Sequence, residues 1–127
     1  MAEKNVTESL EGGCHCGAVR FRVSITERKA LACNCSICAK KGFINLIAKS
    51  EDFELLQGED NLSTYRFNTM AAQHRFCRNC GIQVFTRPRS HPDGFDVNAR
   101  CLDQGLEGFS IEEFDGQNWE DNVASIQ

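Results

Sequence analysis

The segment GGCHCGAVRFRVSI, residues 12–25, decides the fold class. Its second half, residues 18–25, alternates apolar and polar side chains with a period of two, the signature of a strand that buries one face. Its first half sets Cys14 and Cys16 two apart, a spacing that in extended chain turns both sulfurs to one side and His15 to the other. A strand that starts from a metal-binding pair is expected here, with His15 outside the ligand set. Outward from this segment, short runs of the same strand-like character recur at 43–49, 53–56, 63–67, 73–76, 82–86 and 95–99. Gly42, Gly58, Gly81 and the Pro92-Asp93-Gly94 turn punctuate them. Only 37–41 and 118–125 read as short helices. The chain is therefore mainly β, and no repeat, linker or low-complexity stretch divides its 127 residues.

Seven of the eight cysteines fall in three groups: Cys14 and Cys16; Cys33, Cys35 and Cys38; and Cys77 and Cys80. An even number of cysteines in a small chain also suits a disulfide framework. Against it, the N-terminal MAEKNVTESLEGG has no apolar run like that of a signal peptide, so the expected compartment is the reducing cytoplasm. Cysteines two or three apart, repeated three times, also suit metal sites better than cross-links between distant strands. Zn²⁺ is the expected metal, two per chain.

The ligands divide four plus three. Cys77-Arg78-Asn79-Cys80 is followed by Gly81, which permits a tight turn around a metal. Joined to Cys14 and Cys16 it gives a closed four-sulfur site that staples distant segments together. Cys33, Cys35 and Cys38 supply three sulfurs from one short turn, leaving a position open to a thiolate or a carbonyl oxygen. The competing reading closes this second zinc with Cys101, a histidine or a neighbouring chain. Cys101 reads more simply as a buried free thiol, His74 as a packed or hydrogen-bonded side chain, and His91 as a solvated imidazole in a loop.

The formal net charge is −4. Seven thiolates against two Zn²⁺ make the metallated chain about three units more negative still. A nucleic-acid partner is therefore not expected, and no stretch is long enough to span a membrane. Lys40, Lys41, Arg75 and Arg78 lie beside the cysteine groups, where they offset thiolate charge. Lys40, Lys41, Arg75, Arg87 and Arg89 are the cations available to the carboxylates of a small substrate.

GGCHCGAVRF (12–21), CNCSIC (33–38) and FCRNCGIQ (76–83) together resemble the glutathione-dependent formaldehyde-activating enzyme family. CLDQG (101–105) and EEFDGQNWE (112–120) are similar to its branch containing centromere protein V. The resemblance implies a tail at 1–9, a zinc domain at 10–121 and a tail at 122–127. It implies a β-tent fold of several small antiparallel sheets around two zincs. By the same resemblance Cys14, Cys16, Cys77 and Cys80 match the structural-zinc motif and Cys33, Cys35 and Cys38 the catalytic one. The implied activity is carbon-sulfur lyase chemistry that forms or cleaves S-hydroxymethylglutathione, with glutathione or another small thiol as partner. The centromere protein V branch implies an alternative, a non-catalytic zinc-stapled interaction module.

Overall fold

In the computed structural model, which describes residues 8–66, 72–87 and 94–115, the alternating run becomes β2 (Arg20–Ile25). Phe21, Val23 and Ile25 of this strand are buried, while Arg20, Arg22 and Ser24 are half-buried. β1 (Glu8–Gly13) pairs antiparallel with one edge of β2, setting Leu10 opposite Val23 and Gly12 opposite Phe21. β5 (Phe53–Gln57) pairs with the other edge and completes a three-stranded sheet.

A second sheet holds seven strands. Along the chain these are β3 (Lys29–Cys33), β4 (Ile44–Lys49), β6 (Leu62–Tyr65), β7 (Gln73–Cys77), β8 (Gln83–Arg87), β9 (Gly94–Asn98) and β10 (Ser110–Phe114). Their spatial order is β10-β3-β4-β9-β8-β7-β6. Every pair is antiparallel except β10 with β3, which run parallel. One helix, α1 (Ser36–Lys41), joins β3 to β4 and ends at Gly42, whose φ of 67° supplies the left-handed cap. No helix among the described residues is long and apolar enough to cross a membrane.

The core lies between the two sheets. Leu10, Phe21 and Val23 from the small sheet share one buried cluster with Leu46, Ala48, Phe85 and Val97 from the large one. Phe53 ties the layers together, its ring centroid 5.7 Å from that of Phe21, 5.0 Å from Phe85 and 4.5 Å from Phe95. Full burial of one such ring contributes roughly 1.5–3 kcal/mol.

Strand alternation fixes what the opposite face of the large sheet carries. Phe85 pairs with Val97 and both face the core, so the next pair, Thr86 with Asp96, faces away. His74 pairs with Thr86, and Asn45 with Asn98, extending this outer row across β7, β8, β9 and β4. The five buried polar or charged side chains among the described residues are Asn45, His74, Gln83, Thr86 and Asp96.

The mainly β expectation holds, and the 37–41 helix is present as α1. Strands β3 and β10 had no alternation to reveal them: KALAC is short and nearly continuous in apolar character, and SIEEF exposes all but Phe114. The expected helix at 118–125 lies outside the described residues. The reading of Cys14 and Cys16 as neighbours on a strand is corrected. They sit in the turn after β1, where Gly17 N donates to Cys14 O at 3.2 Å and Gly17 takes a φ of 83°.

Candidate metal centres

The first centre joins the β1–β2 turn to the turn between β7 and β8. The sulfurs of Cys14, Cys16, Cys77 and Cys80 all lie within 4.8 Å of one another. Cys14 Sγ is 3.6 Å from Cys16 Sγ, which is 3.7 Å from Cys77 Sγ across 61 residues of sequence. A tetrahedron with metal–sulfur bonds of about 2.3 Å has edges of about 3.8 Å, so these spacings fit one zinc-sized ion. N–H donors already point at the sulfurs: Val19 N to Cys14 at 3.3 Å, Asn61 Nδ2 to Cys77 at 3.2 Å and Asn79 Nδ2 to Cys16 at 3.4 Å. Such donors favour thiolate over thiol. Gly81, at φ 81°, closes the second turn, and its N–H donates to Cys77 O at 2.7 Å.

The second centre is local. Cys33 ends β3, Cys35 caps the N-terminus of α1, and Cys38 lies within that helix. Their sulfurs also lie within 4.8 Å of one another, and among the described residues no histidine, carboxylate or fourth cysteine joins them. Cys35 N donates to Cys33 Sγ and Cys38 N to Cys35 Sγ, each at 3.5 Å. The Cys33 and Cys38 thiols hydrogen-bond Cys35 and hold its sulfur down to about 2, while the same neighbourhood, Cys33 first, drives Cys38 far up. Three sulfurs this close cannot all carry charge unaided. A divalent cation is what lets them, so this donor set also fits a thiophilic metal.

The remaining candidates sort by face. His15 is exposed and Cys101 belongs to neither cluster. Cys101 donates to Gln83 O at 3.6 Å, and burial pushes its thiol up to about 12. Its charged neighbours are Cys14 and Cys80, so it does not complete the triplet. His74 is buried, with Nδ1 3.3 Å from Gln83 Nε2 and 3.4 Å from Thr86 Oγ1. It is the hydrogen-bonded histidine that was expected. A register shift between Arg75 and Phe76 overrides the period-two rule and buries both His74 and Cys77.

Arg75 and Arg87 point to the core face, their guanidinium carbons 5.8 Å and 4.3 Å from the ring centroids of Phe85 and Phe95. They are not positioned with the triplet. Lys41 is: its Nζ is 5.7 Å from the Phe76 centroid, desolvation lowers its ammonium, and the Cys38 sulfur counteracts that. His91 and Arg89 lie outside the described residues. The polar residues around the triplet were not legible in the sequence. Asn45 Oδ1 and Nδ2 each lie 3.9 Å from Cys38 Sγ, and Gln83 Nε2 donates to Thr86 Oγ1 at 2.6 Å. Asn, Gln and Thr inside otherwise apolar strands were the available signal.

Comparison with known proteins points one way. A family model described as glutathione-dependent formaldehyde-activating enzyme matches residues 9–116. A protein of Halomonas elongata named as a putative glutathione-dependent formaldehyde-activating enzyme is 30% identical over 106 residues, covering 76% of this chain and 68% of its own. A crystal structure of a Rhodobacter sphaeroides protein superposes with a TM-score of 0.72 at 35% identity, covering 80% of this chain and 99% of that one.

Proposed function

Because the chain belongs to the glutathione-dependent formaldehyde-activating enzyme family, we propose that it is a zinc-dependent carbon-sulfur lyase. Its substrate in this reading is the adduct of a small aldehyde, formaldehyde first, with glutathione or a similar thiol. The observation that carries the reading is the unequal gathering of seven cysteines into one cluster of four and one of three. Cys14, Cys16, Cys77 and Cys80 hold a structural zinc that fixes the small sheet to the β7–β8 turn. Cys33, Cys35 and Cys38 hold the second zinc and leave it one position for substrate.

When bound there, zinc supplies Lewis acidity and lowers the pKa of an incoming thiol. The chain's own residues do the rest. Backbone N–H groups of Cys35 and Cys38 keep the sulfurs of Cys33 and Cys35 oriented. Asn45, anchored by its Nδ2 donation to Leu31 O at 3.1 Å, stands beside Cys38 and limits how that sulfur can turn. Lys41, close enough to the triplet to feel the Cys38 sulfur, offers a positive charge to a glutathione carboxylate. The cysteine chemistry requires a reducing compartment, which we take to be the cytoplasm.

Cobalt substitution tests the proposal. In the cobalt-loaded protein the thiolate charge-transfer band changes on adding glutathione, and Cys38→Ser abolishes the change while the four-cysteine centre keeps its metal. The zinc protein also equilibrates formaldehyde with glutathione faster than buffer does. If neither the spectrum nor the rate responds to any thiol, the lyase reading fails and a zinc-stapled interaction module is the better account.

A further inference from the structure

Asp96 is the one carboxylate among the five buried polar side chains, and no cation pairs with it among the described residues. It is 8% exposed, and its Oδ1 has no hydrogen-bond partner. A buried carboxyl with an idle oxygen is costly, and a fold keeps one only where something offsets the cost. Its position supplies a use. Asn45 touches Cys38 and pairs with Asn98, and Asp96 lies two residues along β9 on that same face. That is one side-chain step, roughly 7 Å. Thr86 and His74 continue the row, and α1 reaches across the sheet from β4, where Cys38 meets Asn45, to β7, where Lys41 Nζ is 5.7 Å from the Phe76 ring centroid. Among the described residues, Asp96 thus has Ile47 of β4 and Thr86 of β8 as its cross-strand neighbours, with Asn45 and His74 farther along the same row and the Cys35 sulfur near enough to act on it.

We propose that Asp96 is the proton donor and acceptor for the oxygen of the thiol–aldehyde adduct, reaching it from the sheet side of the Cys33, Cys35 and Cys38 centre. This rests on the lyase reading above. In the synthetic direction the thiolate sulfur adds to the aldehyde carbon, the carbon-oxygen π pair moves to oxygen, and the Asp96 carboxyl gives that oxygen its proton. The proton released by the incoming thiol restores the carboxyl, so protons and electrons balance with no further reactant. In the cleavage direction the carboxyl first gives up its proton, which ends on the released thiol, and the resulting carboxylate takes the hydroxyl proton as the carbon-sulfur pair returns to sulfur. Burial of the side chain raises its pKa above the ordinary carboxylate range, the direction that suits a proton donor.

The test is Asp96→Asn in the zinc-loaded protein. The expected result is a loss on the order of a hundredfold in the rate of adduct equilibration, with zinc content and calorimetric glutathione affinity within about twofold of the parent. A variant that keeps the full rate overturns the proposal. A parent protein that does not accelerate the reaction at all overturns the lyase reading, and this proposal with it, which separates the two failures. Should Asp96→Asn not fold, ¹³C NMR of the parent decides: a protonated Asp96 carboxyl at neutral pH in the glutathione complex is expected, and an ionised one overturns the assignment.

Discussion

Cys77 is fully buried and its sulfur accepts from Asn61 Nδ2, whereas Cys35 sits half-buried at the start of a six-residue helix. Replacing them should therefore have unequal consequences. Cys77→Ser or Cys14→Ser leaves a buried centre one ligand short and should abolish cooperative thermal unfolding of the native fold. Cys35→Ser should retain the fold with a modest fall in Tm. The opposite order in circular dichroism melts refutes the four-plus-three assignment. Asn61→Ala removes one donor to a thiolate and should cost roughly 1.5–3 kcal/mol. Asp96 makes a prediction with a pH sign. Its pKa is raised in the folded state, so its contribution to stability is fully present below the unfolded value of about 3.9 and is lost as pH rises towards the folded value. Asp96→Asn should accordingly melt progressively higher relative to the parent as pH increases from about 4 towards neutrality. A difference in Tm that stays flat across that range contradicts a buried, protonated Asp96. The cysteines were legible singly and in pairs because metal ligands need short spacings. Asp96 was not, because nothing local in GFDVN tells a buried acid from an exposed one.

At the scale of elements, the strands with clear alternation were legible and the connections were not. β2 and β4 follow from residues 18–25 and 43–49, with ends that differ by one or two positions. The Cys14–Cys16 turn and the register shift at Arg75 were hidden, since both depend on partners far along the chain. Gly58 belongs to this class. It joins β5 to β6 with a φ of 93°, and a Cβ there would collide with the Ala18 carbonyl oxygen. Gly42 has a similar φ of 67° but opens onto space. Gly42→Ala should therefore cost only the left-handed strain, roughly 1–2 kcal/mol. Gly58→Ala should add an overpacking cost of roughly 1–3 kcal/mol. Thermal melts of the two variants side by side separate these contributions, and equal losses would deny the close approach of the β5–β6 turn to residue 18.

For the whole molecule, the two centres differ in what they hold together. The four-cysteine centre links Cys16 to Cys77 across 61 residues, a closure that in chain-entropy terms is equivalent to about 4 kcal/mol. The triplet closes a turn of six residues, equivalent to about 2 kcal/mol, and α1 buries none of its residues. Loss of the triplet metal should then loosen one turn, and loss of the other should detach the small sheet from the β7–β8 turn. The triplet also brings only three sulfurs together among the described residues, and in the proposed reading this leaves an open position through which a chelator can attack. Limited chelation of protein carrying two zincs should therefore give a folded species with one zinc, seen by native mass spectrometry, with Cys33, Cys35 and Cys38 newly reactive to a thiol reagent. Further chelation should remove the second zinc together with the fold. Simultaneous release of both metals in one unfolding step would mean that the triplet is closed by a fourth ligand and shares the structural burden, and the open position on which the chemistry depends would not exist.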